Sequence, residues 1–161
     1  MTLARRHETA ITLPAPPGLD EIVRMLTALP ESGGLELPAG TWWDVIVTCN
    51  GSTGEDLLWW MRRNQPGGCG AVVTDKDRNL MLWLVPPTGS GNWLHPGGVW
   101  VSHPVKVALP SLRRFFPPGP FWATSLAFGL VDPRFLRAGL DHLGMSDTPN
   151  TASLLPGQRG D

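Results

Sequence analysis

The sequence predicts an α+β domain in which an antiparallel or mixed sheet carries its helices on one face. The first observation is the segment 41–87, which predicts a strand, a helix and two further strands in that order. The second is a pair of amphipathic stretches, one before this segment and one after it. The third is composition: 19 Gly and 17 Pro in 161 residues indicate short elements joined by stiff loops.

A single domain is expected over residues 18–144, because the chain is long enough for one core and shows no internal repeat. Residues 1–17 end in Pro14-Ala15-Pro16-Pro17, which predicts a flexible N-terminal arm. Residues 145–161 are interpreted as a disordered C-terminal tail.

The first predicted elements are a helix and a hairpin. Apolar residues recur at helical spacing from Leu19 to Leu29, and Pro30 ends the pattern. The run 35–37 then predicts a short strand, and the turn at 38–40 is expected to fold it back against the next strand.

The central segment is predicted in four parts. Val45 and Val47 alternate with their neighbours, as in a half-buried strand. Ser52, with Glu55 three residues later, predicts a capping box at the start of a helix that ends before residue 66. After the short run 71–73, the unbroken apolar run 80–85 predicts a strand near the centre of the sheet.

The last third of the chain predicts short strands, an irregular loop and a helix. Pro104 interrupts the extended pieces around Trp100 and Val107, which favours an edge position. The stretch 113–120 is irregular. Asp132 followed by a proline predicts a helix start, and Gly144 suits the position just past its end.

Charge and composition narrow the function classes. A net charge of -1 argues against strong non-specific binding to nucleic acid. No apolar stretch resembles a membrane span or a secretory signal, so we expect a cytoplasmic protein without a membrane partner.

Cys49 and Cys69 are predicted to be free thiols. Most of the 8 Trp residues are expected in the core or at its edge, although a few could form an exposed binding platform.

Two polar clusters have both a structural and a functional interpretation. The turn Gly51-Ser52-Thr53-Gly54 precedes a helix and could bind an anion, but capping and turn chemistry also explain it. Asp75 and Asp77 form a DxD pair that could bind metal, but their neighbours favour an ordinary hairpin turn.

Aromatic and basic residues in two loops suggest binding rather than catalysis. Trp93 and His95 lie in a Gly-rich loop, where binding groups are common. The segment Arg113-Arg114-Phe115-Phe116 could contact single-stranded nucleic acid, dock a protein, or cover apolar surface with its arginine stems.

Four stretches together resemble a known family: LELPAGTWWDVIV, GAVVTDKDRNLMLWLVPPTGSGNWL, VKVALP and GPFWATSLAFGLVDPRFLRAGL. They look like short actinobacterial proteins of the bifunctional DNA primase/polymerase N-terminal type, over about residues 33–143. The resemblance implies an RRM-like, primase-like sheet. It also implies two acidic residues on one strand, and a basic residue or histidine shortly before the VPP-like run.

This chain departs from the family's catalytic pattern. The strand at Asp44 keeps one acidic residue and has no second, and the residues just before the run 81–87 are Arg78, Asn79 and Leu80, with no histidine. The resemblance therefore implies a catalytically degenerate domain without a cofactor. Such a domain would act as a binding or regulatory module for a protein partner, with single-stranded nucleic acid as the other candidate.

Two alternatives stay open at this point. One is a Mg²⁺-dependent nucleotidyl transferase that uses Asp44, Asp75 and Asp77. The other is a small-molecule or nucleotide binder that uses the turn at residues 51–54.

Overall fold

The computed structural model describes residues 18–87, 93–102 and 105–154. Its helices are α1 (Leu19–Ala28), α2 (Ser52–Asn64) and α3 (Pro133–His142). Its strands are β1 (Gly34–Pro38), β2 (Asp44–Cys49), β3 (Val72–Asp75), β4 (Leu80–Val85), β5 (Val99–Val101), β6 (Lys106–Pro110) and β7 (Phe121–Thr124). Short 3-10 turns occupy Leu126–Phe128 and Ala152–Leu154. The α+β class is confirmed.

The main sheet has five strands in the order β5-β2-β4-β3-β7, and every neighbouring pair is antiparallel. β4 is the middle strand, as its unbroken apolar run predicts. Since β2 and β3 both run antiparallel to β4, they are parallel to each other and are joined through α2. This is a split β-α-β unit with β4 inserted between its two strands.

Helices cover both faces of this sheet, so the expectation of helices on one face is wrong. Strand side chains alternate between the faces. Leu57 of α2 and Leu136 of α3 pack with Ile46 and Trp83 on one face. On the other face, buried apolar side chains of α1 and of the β1–β6 pair share a core with those of β2 and β4.

The predicted hairpin between β1 and β2 does not form. β1 instead pairs antiparallel with β6, from Gly34 opposite Pro110 to Pro38 opposite Lys106. Turn chemistry at 38–40 is compatible with either arrangement. The apolar side chains of β1 and β6 decide between them, because pairing these strands places both sets over the same core.

The start of α2 also differs from the prediction. Gly51, not Ser52, occupies the cap position, with φ 92 in the left-handed region that favours glycine. No side chain caps this helix end, and Ser52 is its first helical residue. The capping box is therefore wrong, whereas the bounds of the helix are close to those predicted.

Two local predictions at α3 are confirmed. Asp132 accepts a hydrogen bond from the Arg134 amide at 2.9 Å, and Pro133 is the first helical residue. At the other end Gly144 has φ 65, and the amides of Gly144 and Met145 donate to the carbonyls of Asp141 and Leu140. This pair of bonds is a Schellman motif.

Residues 145–154 correct the prediction of a disordered tail from residue 145 onward. Met145 and Pro149 are buried, and the Thr148 hydroxyl donates to the Pro96 carbonyl at 3.0 Å. Residues 155–161 and the predicted arm 1–17 lie outside the described residues, as does Pro104.

The remaining composition predictions agree with the structure. Cys49 and Cys69 are free thiols. Trp43, Trp83 and Trp122 are fully buried, and Trp59 is 59% exposed. No helix among the described residues is long and apolar enough to cross a lipid bilayer.

Candidate binding site

Asp44 is a fully buried carboxylate at the start of β2. It accepts hydrogen bonds from Trp100 Nε1 at 2.9 Å and from the Ser102 hydroxyl at 2.7 Å. Both donors belong to β5 or its end, so the carboxylate ties the edge strand to the sheet. These two hydrogen bonds satisfy the buried carboxylate and give it a structural role at this edge of the sheet.

Asp75 and Asp77 occupy the hairpin between β3 and β4. Asp75 ends β3 and accepts a hydrogen bond from the Arg78 amide at 3.2 Å, with Arg78 Nε 3.6 Å from its other oxygen. Asp77 lies in the exposed turn, and Asn79 completes the turn with φ 60. The contacts match the turn interpretation of this pair.

The three candidate catalytic carboxylates do not come together. Asp44 pairs with Val85 at one end of β4, and Asp75 pairs with Leu80 at the other end. Five residue steps of β4 separate the two positions, roughly 17 Å at the usual rise per residue. The side chains also lie on opposite faces of the sheet. Among the described residues, no group of three His, Cys, Asp or Glu side chains could hold a metal ion.

The predicted anion turn, residues 51–54, is built for packing. A Cβ at Gly54 would lie 2.8 Å from Met81 Sδ and 2.9 Å from the Cys49 carbonyl oxygen, so only glycine fits there. A small cavity of about 120 Å³ beside Thr53 is also lined by Asp147. The pKa of the Cys49 thiol is raised, mainly by burial and to a lesser extent by the negative charge of Asp147. This negative charge beside the start of α2 disfavours an anion.

Trp93 and His95 fix a loop onto α3. His95 Nδ1 accepts a hydrogen bond from the Gly97 amide at 3.0 Å, and its Nε2 lies 2.8 Å from Asp141 Oδ1. Because Nδ1 is an acceptor, Nε2 carries the proton and donates to Asp141. The Arg137 guanidinium lies 5.9 Å from the centre of the Trp93 ring.

These contacts leave the histidine without a free nitrogen. Both ring nitrogens are engaged within the domain, and its side chain is only 8% exposed. A cavity of about 360 Å³ lies beside it, lined in part by Arg137 and Met145. The contacts of Trp93 and His95 thus hold this loop in place against α3.

Arg113 and Arg114 donate hydrogen bonds to the end of α1 and to the turn that follows it. Arg113 Nε donates to the Thr27 carbonyl at 3.0 Å, and Arg114 Nη1 donates to the Glu31 carbonyl at 3.3 Å. The last carbonyls of a helix lack partners within the helix, and cations there are favoured by its dipole. The sequence places no basic residue in the last turn of α1. The arginines supply that charge from a distant part of the chain.

Phe115 and Phe116 are left exposed on the same loop, with exposed fractions of 46% and 75%. The loop is held at both ends: the Trp122 amide donates to the Arg114 carbonyl at 3.0 Å, and Trp122 Nε1 donates to the Pro110 carbonyl at 2.9 Å. Arg114 Nη2 also donates to the Pro118 carbonyl. Two apolar rings are thus presented to solvent from an anchored backbone.

A groove that the sequence does not predict lies beside this loop. It has a volume of about 360 Å³ and lies between the β1–β6 pair and the two ends of the loop. Its lining is formed by Ser32, Gly33, Gly34, Ala108, Leu109, Pro110, Arg114 and Pro120. The groove requires the pairing of β1 with β6, which no local pattern in the sequence indicates.

We call residues 113–120 together with this groove the loop-groove surface. Of the predicted binding residues, Arg113, Arg114, Phe115 and Phe116 belong to this surface, whereas Trp93 and His95 lie in the loop that contacts α3. No family model, no curated protein and no solved structure matches this chain.

Proposed function

We propose that this domain is a protein-binding module on a primase/polymerase-like scaffold that does not catalyse nucleotidyl transfer. The observation that carries the proposal is the pair of exposed aromatic rings, Phe115 and Phe116, on an anchored loop. Aromatic side chains on preordered backbone are typical centres of protein interfaces, because little conformational entropy is lost when they are covered.

The arginine contacts favour a protein partner over single-stranded nucleic acid. Binding to a phosphate backbone depends on cations that are free to pair with phosphate. Arg113 and Arg114 are the only basic residues in the loop 113–120, and each already uses part of its donors on carbonyls of its own domain, which leaves little positive charge for a chain of phosphates. The net charge of -1 points the same way.

The position of the acidic residues supports the loss of catalysis. Two-metal phosphoryl transfer needs carboxylates that hold ions about 4 Å apart. Asp44 and Asp75 are separated by the length of β4 and by the thickness of the sheet. The split β-α-β unit agrees with a primase-like scaffold, which the resemblance in the sequence first suggests.

Affinity capture from extracts of the native cell tests the proposal. The bait is the full chain, compared with the double variant Phe115→Ser/Phe116→Ser and with Phe128→Ser. Phe128 is a matched control, because it is 77% exposed but lies outside the loop. We expect a protein that is retained by the wild type and by Phe128→Ser and is lost with the double variant.

Two results would overturn the proposal. One is an identical set of captured proteins for all three baits. The other is saturable binding of a labelled oligothymidylate that weakens with salt and is lost with Phe116→Ser, which would assign the surface to nucleic acid.

A further inference from the structure

The groove of the loop-groove surface has an apolar floor that glycine keeps open. A Cβ at Gly34 would lie 2.8 Å from the Leu109 carbonyl oxygen, so the floor is largely backbone at this point. Ala108 adds only a methyl group on the outward face of β6. The space that larger side chains would fill on a two-stranded sheet is therefore available to a ligand.

Arg114 is the one charged residue in the lining. Its guanidinium has five N–H donors. Two of its nitrogens donate to described carbonyls, those of Glu31 and Pro118. The described contacts thus leave donors of Arg114 for a further acceptor. A fixed guanidinium matches a carboxylate, which can accept two parallel hydrogen bonds.

Acidic residues near the groove limit the negative charge that a ligand can carry. Glu31 and Glu36 are exposed and adjoin the lining residues of β1 and of the segment before it. These carboxylates repel a polyanion such as a phosphodiester chain. A single carboxylate placed against Arg114 is compatible with them.

We propose that the groove binds a peptide segment of a partner protein, with an apolar side chain on its floor and a carboxylate paired with Arg114. This inference rests on the proposed function, because it names the chemistry of the partner at the same surface. Phe115 and Phe116 follow Arg114 directly in the chain and are both exposed.

Small fragments test the groove without a known partner. Isovalerate carries the carboxylate and the apolar group, isovaleramide lacks the charge, and isoamylamine reverses it. In two-dimensional amide NMR spectra of the full chain, we expect isovalerate to shift the signals of Gly33, Gly34 and Ala108 in a saturable manner. Isovaleramide should bind about tenfold more weakly, the effect of one charge-assisted pair, and isoamylamine should cause no saturable shift.

A matched pair of variants locates the binding. Ala108→Leu fills the groove and should abolish the isovalerate shifts, whereas Lys106→Leu, on the same outward face of β6 but outside the lining, should preserve them. Equal affinity for all three fragments, or shifts that persist in Ala108→Leu, would overturn the inference. The fragment comparison on the wild type decides the question even if a variant fails to fold.

The two proposals can fail separately. A partner captured through Phe115 and Phe116 with no isovalerate binding would refute the groove chemistry and leave the proposed function standing. Carboxylate binding in the groove, with no protein whose capture depends on the two phenylalanines, would refute the proposed function instead.

Discussion

At the scale of single residues, the Ser111 hydroxyl links the end of α1 to the segment after β6. It is fully buried, donates to the carbonyls at the end of α1, with Leu29 at 3.0 Å, and accepts from the Arg113 amide at 3.1 Å. It thereby fixes the base of the loop that exposes Phe115 and Phe116.

Replacing this hydroxyl should cost considerable stability. We expect Ser111→Ala to lower the free energy of unfolding by about 1–3 kcal/mol, because the part-buried Leu29 carbonyl and Arg113 amide both lose their hydrogen bonds to this buried hydroxyl. Urea unfolding followed by tryptophan fluorescence measures the change. Ser153→Ala is the control, since Ser153 is exposed and its removal should change stability by less than about 0.5 kcal/mol. An equal effect of the two variants would contradict this account.

The Cys69 thiol should make the free energy of unfolding fall at alkaline pH. Burial is the main cause that raises its pKa from the ordinary value of 9.0 to about 12. Between these values the unfolded chain loses the thiol proton and the folded chain keeps it. The free energy of unfolding therefore falls as pH rises from about 9 to about 12, by at most about 1.4 kcal/mol per pH unit from this group.

The chain has no Tyr and only two lysines, Lys76 and Lys106, so the main second contributor in this pH range is the Cys49 thiol, whose pKa is also raised. Urea unfolding at a series of alkaline pH values should give a clear slope for the wild type and a shallower one for Cys69→Ala. Identical slopes for both proteins would show that Cys69 is not the group responsible.

At the scale of elements, the contact between α2 and α3 depends on Gly139. A Cβ at this position would lie 2.7 Å from Leu57 Cδ1 and 2.9 Å from Trp60 Cε3. Glycine inside a helix is unfavourable by about 1 kcal/mol relative to alanine. Its presence here therefore indicates that close approach of the two helices outweighs helix propensity.

Gly139→Ala should accordingly destabilise the domain, by about 1–3 kcal/mol, since both neighbours must move out of a packed core. The control is Ala138→Gly at an adjacent, exposed site of α3. It should lower the free energy of unfolding by about 1 kcal/mol through helix propensity alone. Thermal and urea unfolding measure both. A stabilised Gly139→Ala variant would mean that the helices can separate at little cost.

At the scale of the whole molecule, the sheet uses Asp44 as a support for its edge strand. We expect Asp44→Asn to destabilise the domain by about 1–3 kcal/mol, because an amide accepts less well than a carboxylate from Trp100 and Ser102. A bound ion would stabilise the folded state by mass action. Millimolar Mg²⁺ should therefore leave the unfolding midpoint of the wild type unchanged. A midpoint that rises with Mg²⁺ and loses this response in Asp44→Asn would restore a metal site.

Sequence reasoning works best here where a pattern is satisfied within a few residues. Three features are explained by residues within the same short segment: the caps of α3, the turn after Asp75 and the apolar run of β4. The pattern at α2 predicts Ser52 as the cap, one residue later than the true cap Gly51, because both residue types are acceptable there and only the backbone conformation separates them. β7 was not predicted at all, since it is short and follows a proline-rich loop.

The candidate site was only half predictable. The sequence identifies Phe115 and Phe116 as aromatic residues in an irregular segment, which is a local property. It does not reveal that Arg113 and Arg114 donate to carbonyls of α1 and of the turn after it, because those carbonyls lie more than eighty positions earlier in the chain. The same limit explains why the groove was missed.

By itself, the sequence determined the class of the fold, the central strand, most helix bounds and the absence of a paired acidic motif on β2. These properties follow from periodicity, turn residues and residue identity, all of which act over short distances along the chain. Only the tertiary structure decided that β1 pairs with β6, that α1 lies on the opposite face from α2 and α3, and that the carboxylates stay apart. Each of these depends on which apolar surfaces cover one another, and that choice is made by the packing of the whole core.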